Sequence, residues 1–317
     1  MFKKFFSISL AFLLIVTSSS TPIIAKSKSK SNPIRKKSVF TQTMQNKKVL
    51  SNSIYNEKSY GTWMWNTQKI VESPDTIIKL LKDNKFTEVY LQIDQKLDAK
   101  YYSHFIKNAN NNGIKVYALD GDPNWTLKNN RRELENFLNW VVNYNSSKVQ
   151  DERFVGIHLD VEPYLLSLWK NNKIKVITDY MEYITYLKAF GAKNGLEVAV
   201  DIPFWFDEIS IPKQKVNLAE YVISRVDSVN IMAYRDRAQS IIDIVKNEMN
   251  YAKKYNKKVV ISVETGNTSE GENITFYQEG LSFMWNELNE VDEYYKNSYN
   301  NYGFAVHYLE NIMNIKK

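Results

Sequence analysis

The chain has 317 residues, 44% hydrophobic and 14% aromatic, with a formal net charge of +7, enough length to bury one large core. It has no cysteine, which excludes disulfides, thiolate metal sites, cysteine nucleophiles and a lipidated cysteine anchor. The charge is uneven: residues 1–58 carry eleven Lys or Arg and one acid, leaving 31 bases against 34 acids elsewhere, so nothing in the folded part favours nucleic acid.

In chain order, residues 1–25 have the form of a secretory signal peptide. Lys3 and Lys4 precede an apolar run from Phe5 to Val16, followed by small polar residues and Ala25. The run is too short for an ordinary membrane span, so the sequence predicts a secreted, extracellular or surface-associated protein with no stable membrane span. Residues 26–58, basic and Ser-rich from Lys26 to Lys48, read as a solvated linker whose charge offers an electrostatic contact to an anionic cell surface.

From residue 59 to 317 one theme repeats eight times: an apolar extended run, a polar or acidic end, then an amphipathic segment of helical length. The strand candidates are 61–67, 88–95, 114–122, 154–162, 196–204, 228–236, 258–266 and 302–310. Between them lie helix candidates such as 73–86, where Ser73 can cap and Pro74 suits the first turn, and 129–145. Gly113 and Gly195 stand where helices should stop. Eight such units match a single-domain α/β fold, the (β/α)8 TIM barrel, whose parallel strands are buried on both faces. An open doubly wound sheet is the rival, but no Gly-rich phosphate loop follows the first strand and no cofactor is implied.

Barrel active sites form where strands end at their C-terminal side, and acids gather there. Asp94, Asp120 and Asp122, Asp160 and Glu162, Asp201, Asp236, Glu264 and Glu310 close strands two to eight. Carboxylates crowded at one mouth repel and need a use: proton transfer on a glycosidic bond, a hard cation, or grips on a polyhydroxylated ligand. Trp65 ends strand one, and Trp125 and Trp205 follow strands three and five; flat aromatic faces beside carboxylates suit a sugar ring. The expected partner is therefore a polysaccharide or other glycan.

The stretch "VGIHLDVE" (155–162) resembles the strand-four signature of glycoside hydrolase family 18, the chitinase-like enzymes, and "NIMAYRD" (230–236) is similar to that family's strand-six motif. The resemblance implies Glu162 as general acid, Asp160 as the carboxylate that orients the substrate acetamido group, and Tyr234 as its support. Val155 and His158 stand where the family has its first two acids, and Arg235 where it has Asp, with Asp236 one place later. The two motifs cover fewer than twenty residues.

Alternate strand residues share a face, so Asp160 and Glu162 both turn toward the mouth. A neighbouring anion raises the proton affinity of a carboxyl, which lets it donate to a leaving oxygen near neutral pH. In the substrate-assisted route the sugar's own N-acetyl oxygen is the nucleophile. His158, on the same side, is a third polar contact or a structural histidine. A second reading makes Glu162 the acid/base and Glu264 the nucleophile of a double-displacement glycosidase, with carboxyls about 5 Å apart; Val161 stands where that enzyme clan usually has Asn. Two further readings are a non-catalytic glycan-binding barrel and a Mg or Ca site at Asp94, Asp120, Asp122 and Asp160. With three histidines, of which His104 falls in a helix candidate, no zinc site is expected.

Overall fold

A computed structural model describes residues 58–269 and 271–315. The signal-peptide and nearly all of the linker expectations lie outside the described residues. Eight strands, β1 (Tyr60–Met64), β2 (Glu88–Gln92), β3 (Lys115–Asp120), β4 (Gly156–Leu159), β5 (Glu197–Pro203), β6 (Ser228–Met232), β7 (Lys258–Glu264) and β8 (Tyr302–His307), pair in sequence order, all parallel. Tyr60 pairs with Phe304, which joins β1 to β8 and closes the barrel. The open-sheet alternative is excluded by that closure.

Each strand is followed by helical structure: α1 (Pro74–Asp83), α2 (Ala99–Asn111), α3 (Arg132–Ser146), α4 (Lys173–Asn194), α5 (Leu218–Ile223), α6 (Ala238–Tyr255), α7 (Leu281–Tyr295) and the short α8 (Leu309–Ile312). Pro74 opens α1 as expected, although Ser73 makes no side-chain cap bond. Gly195 ends α4 at φ 65°, where a side chain would be strained. The apolar stripes of the helices pack on the outward residues of the strands, as with Ile77, Ile78 and Leu81 of α1, and form the main core.

The strands end one to four residues earlier than the sequence pattern suggests. Beyond Gln92 and Met232 single bonds to the neighbouring strand persist, with Ile93 N donating to the Leu119 carbonyl at 3.0 Å and Ala233 N to the Ser262 carbonyl at 2.9 Å. Asp160 retains one last strand-type bond, its N–H donating to the Asp120 carbonyl at 3.2 Å.

The register fixes what fills the barrel, because residues paired across strands face the same way. Trp63 pairs with Tyr90 and Tyr90 with Tyr117; Leu119 pairs with His158, and Asp201 with Asn230. Trp63, Tyr90, Tyr117, Leu119, Val260 and Ala305 form the apolar plug of the interior. Below it, Lys258 meets Glu88 at 2.6 Å and Tyr117 donates its hydroxyl to Glu197 at 2.6 Å, sealing the N-terminal end. The polar residues above the plug can therefore be reached from one side only, the C-terminal mouth.

Candidate active site

Asp160 and Glu162 leave β4 on alternate positions and both belong to the mouth. Asp160 is held by a close approach of two backbones: a Cβ on Gly121 would lie 1.9 Å from the Asp160 carbonyl oxygen, so only glycine fits there. The Asp160 carboxyl is poorly hydrated, and its Oδ1 is buried without a hydrogen-bond partner. Burial first, then the charges of Asp201 and Glu162, raise its proton affinity well above the usual aspartate range. Glu162 accepts a hydrogen bond at Oε1 from the Tyr164 hydroxyl. The Tyr164 ring meets Trp205 edge to face at 5.0 Å, so Trp205, half-buried, forms a wall one side chain away from Glu162.

Tyr234 lies across the mouth. Burial, followed by the nearby charges of Glu264, Asp160, Asp201 and Glu162, raises its phenol pKa well above 10, so it remains a protonated donor. Asp160, Glu162, Tyr234 and Glu264 thus come together within electrostatic reach. Glu264, however, is fully engaged: its Oε1 accepts from the backbone N–H groups of Thr265 at 2.8 Å and Gly266 at 2.5 Å, and its Oε2 meets His307 Nδ1 at 2.7 Å.

Two expected ligand contacts lie deeper. His158 is 0% exposed and Asp201 is 3% exposed. The His158 ring stacks on Tyr90 at 3.9 Å, and its Nε2 sits 2.8 and 2.9 Å from the two oxygens of Asp201, which also accepts from Trp63 Nε1 at 3.2 Å. Burial pushes the His158 pKa down to about 3, leaving the ring neutral, and raises that of Asp201, against which the Trp63 bond works. This pair supports the floor of the mouth and does not line it.

Other expected contacts also take different roles. Trp125 is 6% exposed and stacked on Phe137 at 6.1 Å, packing against α3 because the turn after β3 folds back over the barrel wall. Asp122 caps that turn, accepting from Asn124 N at 2.7 Å, and Asp94 similarly accepts from Lys96 N at 2.9 Å. Asp120 accepts from Gln92 Nε2 at 3.0 Å and from Gly121 N at 2.9 Å; its burial outweighs these bonds and raises its pKa. With these carboxylates turned onto their own loops, no group of three His, Asp or Glu able to hold a metal forms among the described residues. Asp236 is 8% exposed and paired at 3.9 Å with Arg237 rather than with the mouth.

Trp65, Asp94 and Glu310 do share a feature: with Tyr308 they line a groove of about 530 Å³ between the ends of β1, β2 and β8. A larger cavity of about 700 Å³ lies at the opposite end of the barrel, among Asn110, Arg153 and Asn194, and none of the mouth carboxylates reaches it. His307, Tyr164 and Trp63 belong to the site although the sequence pattern did not single them out. His307 could have been found from the small inward residues Gly303 and Ala305, whose alternation places 307, not 310, at the inward end of β8. Tyr164 follows Pro163 in a 3-10 turn and carries no periodic signal.

No protein-family model matches the chain, and no curated protein matches it in sequence. Solved structures do. The spore cortex-lytic enzyme SleL of Bacillus megaterium superposes with a TM-score of 0.51 at 12% identity, over 81% of this chain and 72% of that one. A chitinase from Bacteroides thetaiotaomicron gives 0.49 at 12% identity, over 80% and 90% of the two chains. A plant class V chitinase mutant from Cycas revoluta, in complex with (GlcNAc)3, gives 0.44 at 13% identity, over 81% and 97%. At such identities the likeness to SleL concerns the fold alone: the described residues form a (β/α)8 barrel of the kind seen in that enzyme.

Proposed function

We propose that this protein is an exported glycoside hydrolase acting on an N-acetylated glycan of a cell wall or cell surface, by a substrate-assisted route. The observation that carries the reading is the neighbourhood of Asp160, with one carboxyl oxygen buried and unpartnered, and Glu162 at the mouth beside the protonated phenol of Tyr234. In this reading Glu162 passes its proton to the glycosidic oxygen as the C1–O bond breaks, and the substrate's acetamido oxygen closes on C1. Asp160 and Tyr234 hold the acetamido group in the attacking orientation. Water then opens the cyclic intermediate, giving its proton back to Glu162.

The engagement of Glu264 weighs against the double-displacement alternative. A nucleophile needs an oxygen available to the anomeric carbon, and both Glu264 oxygens hold backbone N–H groups or His307. The fold shared with a cortex-lytic enzyme makes peptidoglycan-type glycans the first substrates to try. Incubating the purified protein with chitooligosaccharides and peptidoglycan fragments should release new reducing ends. If none is cleaved while glycans still bind, the barrel is a binding module and the catalytic reading is wrong.

A further inference from the structure

His307 sits at the centre of the mouth with each ring nitrogen committed. Nδ1 lies 2.7 Å from Glu264 Oε2, and Nε2 accepts from Trp65 Nε1 at 3.2 Å. The Trp65 indole nitrogen can only donate, so His307 Nε2 must present its lone pair. The ring is then neutral, with its proton on Nδ1 and donated to Glu264. Tyr234 stacks on the same ring at 6.1 Å and Trp63 meets it edge-on at 5.4 Å, so the imidazole cannot turn without displacing both. Trp65 packs against the interior plug from its outer side. It is half-buried at the rim and lines the groove shared with Asp94, Tyr308 and Glu310.

We propose that His307 is a positioning residue that, in its neutral form, hydrogen-bonds Trp65 to the edge of the mouth, and that protonation of His307 releases Trp65 and weakens binding of the glycan it borders. A second proton would go to Nε2, setting two N–H donors against each other at 3.2 Å, a contact that must open. The charged groups facing the ring from neighbouring strands are all acids: Glu264 on β7, Asp160 after β4 and Asp201 on β5. The other ionisable neighbours are the phenols Tyr234 and Tyr308. Burial opposes charging of the ring, but the Glu264 hydrogen bond and these acids outweigh it and hold the His307 pKa above 6.5. Release therefore occurs at a higher pH than protonation of an ordinary imidazole. The binding half of this inference rests on the glycosidase reading; the His307–Trp65 coupling does not.

The test follows the indole N–H resonances of the 15N-labelled protein without ligand from pH 9 to pH 5, with Trp65→Phe identifying the Trp65 signal. That signal should move toward the position of an unbonded indole, with an inflection above pH 6.5. In His307→Phe it should start there and stay. In His307→Gln, whose amide oxygen can still accept, it should remain bonded with no inflection. A Trp65 signal that does not titrate in the parent, or that titrates equally in His307→Phe, overturns the coupling. If His307→Phe fails to fold, the parent and His307→Gln titrations decide the matter. With N-acetylchitopentaose as the probe, the parent should lose about three- to tenfold in affinity across the inflection, the size of one neutral hydrogen bond, while His307→Gln loses none. Equal pH dependence in both proteins removes the binding role; a probe that is neither bound nor cleaved counts against the glycosidase reading and leaves the resonance result standing.

Discussion

Replacing Glu248 by Met should stabilise the protein, and increasingly so as the pH rises. Glu248 lies on α6, 0% exposed, and neither carboxyl oxygen has a hydrogen-bond partner. Burial, with a smaller push from Asp207, moves its pKa from 4.5 up to about 8. Below pH 4.5 both folded and unfolded chains carry the proton and the residue costs nothing by ionisation. Between the two values only the unfolded chain ionises, so unfolding releases a proton and stability falls by about 1.36 kcal/mol per pH unit. Above pH 8 the full cost is present, about 5 kcal/mol for the shift from 4.5 to 8, a sizeable part of an ordinary domain's stability. Water entry would lower that figure, so it is a ceiling. Urea denaturation of parent and variant at pH 5, 7 and 9 measures it directly. The variant's advantage should grow by ~3 to 5 kcal/mol from pH 5 to pH 9, since every other titrating group is common to both proteins. An advantage constant to within ~1 kcal/mol would refute the assignment of a buried, unpaired carboxyl.

Glu162→Gln should cut glycan cleavage by about 10²- to 10⁴-fold and leave binding nearly unchanged, because the amide has no acidic proton to give; comparing initial rates with calorimetric affinity checks this. Asp160→Ala should be as severe, whereas Glu264→Ala should act chiefly on KM through its hold on His307. Rescue of Glu264→Ala by added azide would instead identify a nucleophile and reverse the mechanism. Gly121→Ala sets a Cβ against the Asp160 carbonyl and should cost about 1–3 kcal/mol by overpacking, with a loss of activity visible even well below the melting temperature. Trp125→Ala should cost about 3–5 kcal/mol of stability yet leave glycan affinity intact, because its ring packs on Phe137; a selective loss of affinity would return Trp125 to the binding surface.

Much of the barrel was legible in the sequence because parallel strands buried on both faces leave continuous apolar runs, and Gly195 or Pro74 mark helix ends by backbone geometry alone. The ends of strands were less legible: apolar or acidic character continues past the last ladder bond, as with Asp160 after Leu159. The acids at those ends were visible as a group but not by role. Asp94 and Asp122 cap turns, a local bond that any Asp in a loop can make, while Asp201 pairs with His158 across 43 residues, which no local pattern reveals. The acidic pattern on β8 points to Glu310, three residues beyond the inward-facing His307. Trp125 and Trp205 each follow a strand by a few residues, and only packing separates the one that stabilises from the one that borders Glu162.

The contact between Gly121 and the Asp160 carbonyl makes the length of the loops beside it part of the site. On the β3–β4 side the chain is pinned by that contact, by the Asp160–Asp120 bond and by Arg131, which reaches from the β3 loop to the Asp179 carbonyl at 2.8 Å. A graft or insertion there would drag Asp160 with it. After β7 the chain is also tied at the rim: Thr265 and Gly266 donate to Glu264, Thr265 donates to the His307 carbonyl at 3.0 Å, and Phe276 N donates to the Glu264 carbonyl at 2.9 Å. Attempts to retune which glycan this barrel accepts should therefore leave the β3 and β4 loops at their present lengths and change side chains there instead.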